Sequence, residues 1–135
     1  MKVQKIAIDN IKPYLLNQKR HPEKQIFDLS EMIREYGFVK PILLDEENVI
    51  LAGHGAFEAG IMAGLTKIPC IIHSHLSERQ KKAFRIADNK IAEKSIWDFD
   101  KLSMEVSQLS DDDFNLDLLG FDEQELESIL KFRVC

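Results

Sequence analysis

One stretch constrains the fold of this chain more than any other: residues 49–65, which read Val-Ile-Leu-Ala-Gly-His-Gly-Ala-Phe-Glu-Ala-Gly-Ile-Met-Ala-Gly-Leu. An apolar run from Val49 to Leu51 stops at Gly53-His54-Gly55, and an alanine-rich segment with Phe57, Ile61 and Met62 follows. The pattern predicts a strand, a tight turn and a helix. Glycines at such a switch allow positive φ and bring successive backbone N–H groups near a ligand, while the helix points the positive end of its dipole at the same place. The turn is a candidate phosphate cradle. The two glycines also fit a plain sharp turn, and the tripeptide alone does not separate the two readings.

With 135 residues, 44% of them hydrophobic, the chain has room for one domain with a real core, or for one domain plus a short helical appendage. No apolar run approaches the ~18 residues of a membrane span, and the Met1-Lys2-Val3-Gln4-Lys5 start lacks the apolar core of a secretory signal. A cytoplasmic protein without membrane contact is expected. Cys70, in an apolar run, and Cys135, the last residue, form neither a disulfide framework nor a metal pair, so both thiols are expected to be free. The formal net charge of -5 is unevenly spread: residues 1–95 carry 15 Lys and Arg against 12 Asp and Glu, and residues 96–135 carry 3 against 11. The turn lies in the basic part. The acidic part reads as a solvated face or as a cover for a basic surface or partner.

Residues 3–8 read as a short strand, and Pro13 keeps residues 11–14 extended. Polar, basic Asn17-Gln18-Lys19-Arg20-His21 precedes a helix with Pro22 at its first position, Ile26, Leu29 and Ile33 on one face and Gly37 as its stop. Residues 42–44 and 49–51 read as partner strands around Asp45-Glu46-Glu47-Asn48. Residues 68–72 form a further strand, in which Pro69 favours a sheet edge or the strand's first residues. Ser77 and Gln80 fit a capping box for a helix to about Lys94, with Ala83, Phe84, Ala87 and Ile91 as its apolar stripe and Arg79, Lys81, Lys82, Arg85 and Lys90 as its charges. Asp98 suits the cap of a helix through Leu109. Asp122 with Glu125 suits the cap of a last helix carrying Leu126, Ile129 and Leu130.

Four blocks of this order, Asn17 to Pro22, Ile33-Arg34-Glu35-Tyr36-Gly37-Phe38 leading to Pro41-Ile42, Ile50 to Gly55 with Glu58-Ala59, and Arg85-Ile86-Ala87-Asp88-Asn89-Lys90, carry a resemblance. The chain resembles the ParB/sulfiredoxin-like superfamily, in particular the ParB-like N-terminal (so-called ParB-like nuclease) domains linked to phage or plasmid DNA methyltransferases. Trp97-Asp98 and residues 116–130 with Gly120-Phe121-Asp122 also resemble the methyltransferase-linked branch. The fold class expected is α/β (α+β), a small mixed β-sheet flanked by helices over residues 1–95, with an acidic helical extension over residues 96–135.

In that superfamily the turn matching Gly53 to Ala56 holds nucleotide phosphates and normally ends in arginine. Partition proteins carry a Gly-Glu-Arg-Arg-like form and bind CTP with magnesium; sulfiredoxins carry Gly-Cys-His-Arg and use ATP. Here the fourth place is Ala56. A forked arginine contact to phosphate is worth roughly 1.5 to 3 kcal/mol, so the alanine argues against tight nucleotide binding and turnover. Natural loss and deliberate replacement both account for Ala56, and the intact flanking residues favour replacement.

The resemblance implies a phosphate-binding set of Gly53, His54, Gly55 and Ala56, with Asn17, Lys19 and Arg20 as a further anion-binding arm and Lys40 and Lys90 beside them. Asp88 and Asn89 stand where partition proteins help hold metal and triphosphate, and such oxygen donors suit Mg²⁺ sharing its shell with phosphate. Other readings stay open. Asp88-Asn89 also fits a surface pair, His54 also fits a bond to its own turn's backbone, Arg34-Glu35 fits an ordinary helix-end ion pair, and Glu58 fits a solvated helix residue.

The function expected first is a nucleotide-binding module acting with DNA or a DNA-modifying partner such as a methyltransferase, with Mg²⁺ and CTP or ATP as ligands and hydrolysis as a further step. The alternatives are a non-enzymatic DNA-binding or protein adaptor, and a small-molecule kinase in which Glu35 or Glu58 acts as base. A homodimer is left open. No motif for methyl transfer or nuclease chemistry is found, and sequence-specific DNA reading is not expected of a chain this short.

Overall fold

The computed structural model describes residues 2–17 and 20–131; Lys19 and Cys135 lie outside the described residues. The chain divides into two compact units, Met1–Glu93 and Lys94–Cys135. The first holds β1 (Val3–Ala7), α1 (Glu23–Tyr36), β2 (Ile42–Leu44), β3 (Ile50–Ala52), α2 (His54–Met62), β4 (Lys67–Ile72) and α3 (Glu78–Ala92). Its strands form one mixed sheet in the order β1-β4-β2-β3, so the unit is of the α+β class.

β2 and β3 are joined by a turn that Asp45 organises, because its Oδ1 accepts the N–H groups of Glu47 and Val49, both at 2.9 Å, while Asn48 takes a φ of 64°. The chain returns through α2 to lay β4 parallel to β2, with Ile42 opposite Cys70. β1 pairs antiparallel with β4 at the other edge. The outer edge of β3 is strapped: the Lys12 N–H donates to the Asn48 carbonyl at 2.8 Å and the Ile50 N–H donates to the Lys12 carbonyl at 2.9 Å. That strap carries residues 13–17 to the end of β3, where the glycine turn begins.

The core lies between sheet and α2, built on Ile42, Leu44, Ile50, Phe57, Ile68 and Cys70. Cys70 carries a buried free thiol whose pKa burial raises to about 11, so it stays protonated and serves packing. α1 packs on α2 through Ile26 and Ile33 against Ala59. Gly60 permits close approach, since a Cβ there would stand 3.0 Å from Ile68 Cδ1.

The structure corrects three local expectations. Pro22 is the cap of α1, not its first helical residue, and its carbonyl accepts the Ile26 N–H at 3.2 Å. Pro69 lies in an inner strand, one residue before the parallel pairing with β2 begins, so that ladder needs no N–H from it. The expected apolar stripe of α3 is not its buried face. Lys81 and Arg85 are the buried residues of that helix, while Ile91 is 64% exposed. The reason lies in what α3 packs against: acidic Asp45 and Glu46 of the β2–β3 turn and a backbone carbonyl of β3, all of which need donors.

The second unit holds α4 (Phe99–Asp111), a 3₁₀ turn at Leu116–Leu119 and α5 (Glu123–Lys131). Asp98 and Asp122 cap the two helices as expected, accepting from Lys101 N at 3.3 Å and Glu125 N at 2.7 Å. α4 meets α5 through Val106, Ile129 and buried Ser103, whose hydroxyl donates to the Ile129 carbonyl at 2.8 Å. Among the described residues no helix is long and apolar enough to cross a membrane.

Candidate functional site

The two glycines of the turn have different jobs. Gly53 takes a φ of 108° as the cap of α2, and a Cβ there would stand 2.5 Å from Ile42 Cγ2, so backbone geometry and space both require glycine. Gly55 is within the helix and needs no positive φ, contrary to the expectation for both glycines. A Cβ at 55 would stand 3.1 Å from the His21 ring, which glycine lets lie against the turn. His21 Nδ1 is 3.0 Å from Gln25 Oε1, and as that oxygen only accepts, the nitrogen donates.

A cavity of about 180 Å³ opens before the first turn of α2. The first N–H groups of a helix have no partner inside it, and this first turn carries no acidic residue to offset its positive end. Gly53, His54, Gly55 and Ala56 line the cavity from α2, Asn17 from the strap, and Asp88 and Asn89 from α3. Three stretches far apart in sequence thus converge on one helix N-terminus.

His54 has a role that its sequence context did not show. Its Nε2 accepts the backbone N–H of Tyr14 at 3.2 Å, which places the ring proton on Nδ1 and ties the strap to the turn. Burial, followed by the nearby charges of Arg85 and His21, lowers the His54 pKa to about 4. The ring is neutral at pH 7, with Nδ1–H as its remaining donor.

Other expected residues stand elsewhere. Arg20, Glu35 and Glu58 are exposed and do not line the cavity. Lys90 is exposed, 3.5 Å from Glu93. Arg34 pairs with Glu31 at 2.7 Å and donates to the Met62 carbonyl at 2.9 Å, in place of the expected pair with Glu35. Lys40 lies on a neighbouring groove of about 760 Å³, a mostly apolar trough walled by Met32, Tyr36, Phe38 and Pro41. That groove shares Gly53, Ala56 and Asp88 with the cavity at the N-terminus of α2.

Two cavity residues were missed: His21 and Arg85. Arg85 lies in the last of the four blocks, but in the sequence it is one of five basic residues of its helix with nothing in its residue type to set it apart. In the structure Arg85 is 5% exposed, its Nε–H donates to the Ile50 carbonyl at 3.0 Å, and its guanidinium lies 3.7 Å above the Tyr14 ring. The available signal was its spacing of four from Lys81, which puts both on one helical face.

Among the described residues no group of three or more His, Cys, Asp or Glu side chains is arranged to hold a metal ion. Asp88 and Asn89 supply one carboxylate and one amide oxygen. That donor set fits Mg²⁺ only when ligand phosphates complete the shell.

The mixed sheet, its strapped edge and the cavity at the N-terminus of α2 define an α+β domain of ParB/sulfiredoxin-like architecture. The chain belongs to the ParB N-terminal domain family, whose model matches residues 1–90, and a second model, the ParB-methyltransferase HTH domain, matches residues 100–133. It is 33% identical over 82 residues to the ParB-like nuclease domain-containing protein YnaK of Escherichia coli, covering 61% of this chain and 94% of that protein. It is 33% identical over 88 residues to the probable chromosome-partitioning protein ParB of Rickettsia bellii, covering 64% of this chain but 30% of that longer relative. Among solved structures it is similar to C-terminally truncated chromosome-partitioning protein ParB of Caulobacter crescentus complexed with CTP-γ-S, with a TM-score of 0.70, 22% identity and coverage of 81% and 63% of the two chains. It is also similar to sulfiredoxin of Arabidopsis thaliana, with a TM-score of 0.53, 19% identity and coverage of 64% and 98%.

Proposed function

We propose that this chain is a nucleotide-binding module that holds the phosphates of a nucleoside triphosphate at the N-terminus of α2 and acts with a DNA-modifying partner of the methyltransferase class. The observation carrying this reading is the convergence of Asn17, the Gly53–Ala56 turn and Asp88-Asn89 on one cavity. A cavity of about 180 Å³ suits a chain of phosphates, and the adjoining apolar groove, with Tyr36 and Phe38 in its walls, suits a base and ribose. The Caulobacter relative held CTP-γ-S, which favours CTP among the triphosphates.

Asp88 and Asn89 would hold Mg²⁺ jointly with the phosphates, and the ion would supply neutralisation of their charge. The turn's N–H groups and the Nδ1–H of His54 bind and orient anionic oxygens. The reading is one of binding: Glu35 and Glu58, the candidate bases for hydrolysis or a kinase step, stand outside the cavity.

The methyltransferase link rests on the description of the family model over residues 100–133. Direct DNA reading is disfavoured by charge, because α5 carries Glu123, Glu125 and Glu127 against one Lys131, whereas a helix lying on DNA needs cations. Burial of Lys81 and Arg85 also leaves fewer of the basic residues of α3 exposed to solvent. The acidic unit therefore suits a protein partner.

Calorimetric titration of CTP, ATP and GTP with Mg²⁺ into this protein and its Ala56→Arg variant tests the proposal. One nucleotide, CTP first, is expected to bind Ala56→Arg about ten- to a hundredfold more tightly, the worth of a forked charged contact. Absence of binding by both proteins overturns it.

A further inference from the structure

We infer that Arg85 is the phosphate-binding cation of this site, a guanidinium delivered from α3 that supplies the charge Ala56 lacks. The inference rests on the nucleotide reading above and names the residue that makes it work.

Arg85 is a buried charge with an incomplete set of partners. Taking a guanidinium out of water costs several kcal/mol unless an opposite charge or a full set of acceptors compensates it. Among the described residues the ion pairs of α3 belong to Lys81 and Lys90, and Arg85 is in none of them. Its Nε–H is used by the Ile50 carbonyl and one face of the plane by the Tyr14 ring. The four Nη–H donors have no hydrogen-bond acceptor in the described structure. Yet Arg85 is not among the buried polar groups left without a partner, so those donors reach open space. Arg85 lines two cavities, the one at the N-terminus of α2 and one bordered by Tyr14, Asp45, Glu47 and Glu78, and its charge is felt at His54, whose pKa it helps to lower.

The two fixed contacts leave the fork with little freedom. A guanidinium pinned through Nε and stacked on an aromatic ring presents its Nη groups in one plane, the arrangement that binds two oxygens of a phosphate side by side. The free N–H groups of the α2 first turn face the first of these cavities, and the proposal places one anion there between the two donor sets. Lysine at position 85 would keep the charge but not the fork. Tyr14 is the positioning residue: its ring carries the guanidinium and its N–H holds His54.

The test is calorimetric titration of inorganic tripolyphosphate, and separately of CTP, into the full chain and its Arg85→Gln, Arg85→Lys and Lys67→Gln variants. Lys67 is exposed at the start of β4 and controls for loss of one positive charge. The expected result is tripolyphosphate binding by the parent and by Lys67→Gln, a loss of about ten- to a hundredfold in Arg85→Gln, and an intermediate loss in Arg85→Lys. Because Arg85→Gln also removes a buried contact, a second measurement uses the unaltered protein: the Arg85 side-chain nitrogen resonances are followed by NMR as tripolyphosphate is added, and they are expected to move with the binding isotherm. Equal binding by parent and Arg85→Gln, or Arg85 resonances that stay still while the anion binds, overturns the role of Arg85 and leaves the nucleotide reading standing. Absence of tripolyphosphate and CTP binding by the parent overturns the role of Arg85, and absence of nucleotide binding by Ala56→Arg as well overturns both.

Discussion

At His54, the Nε2 lone pair that accepts the Tyr14 N–H is lost when that nitrogen is protonated, so the strap and the proton compete for one atom. The folded-state pKa of about 4 lies below the ordinary value of 6.5. As pH falls, the unfolded chain takes up the proton first, so the contribution of this ring to stability is complete above about pH 6.5 and is lost progressively as pH falls towards 4. An NMR titration is expected to place the His54 ring midpoint near pH 4, with the Tyr14 amide losing exchange protection over the same range. A midpoint at or above the ordinary histidine value would show that the ring does not hold the strap. The sequence marked His54 as important but not what it bonds, because its partner lies 40 positions away and is a backbone N–H that no side-chain pattern reveals.

At the scale of elements, α3 is oriented by charge. Lys81 Nζ lies 3.1 Å from Asp45 Oδ2, 2.8 Å from Glu46 Oε1 and 3.0 Å from Glu78 Oε1, which pins the first turns of α3 to the β2–β3 turn and sets where Arg85, Asp88 and Asn89 arrive. Burial raises the Asp45 pKa, but the Val49 N–H, Lys81 and the Glu47 N–H together bring it below the ordinary value, so the carboxylate stays charged at neutral pH. Replacing Lys81 strands that carboxylate. Lys81→Met is therefore expected to lower the urea midpoint markedly, Lys82→Met at the next, exposed position to leave it nearly unchanged, and Asp45→Asn added to Lys81→Met to recover part of the loss. Equal effects of the two lysine variants would overturn the role of the cluster. The caps of α3, α4 and α5 were legible from sequence, since pairs such as Ser77 with Gln80 are local signals. The inward face of α3 was not: an apolar stripe predicts burial only when its neighbour is apolar, and here the neighbours are carboxylates and a carbonyl.

At the scale of the whole molecule, every residue lining the proposed site and every residue of the sheet core falls within the first 93 positions. A fragment ending at Glu93 is expected to fold, with a dispersed amide spectrum, and to bind tripolyphosphate within about twofold of the full chain. A collapsed spectrum would show that the first unit depends on the second. The acidic charge of residues 96–135 was plain from composition, and α4 and α5 appear there with the expected caps.

The sequence by itself determined the order and type of most elements, the strand–glycine–helix switch, and the family, because these depend on residues near one another in the chain or on ordered blocks along it. The tertiary structure alone decided that Asn17, His21, Gly55, Arg85 and Asp88 share a cavity, that His54 fastens the strap, and that two basic residues of α3 point inward. Those outcomes follow from long-range pairings, β4 beside β2 and Lys12 along β3, that bring unsatisfied backbone and carboxylate groups within reach of particular donors.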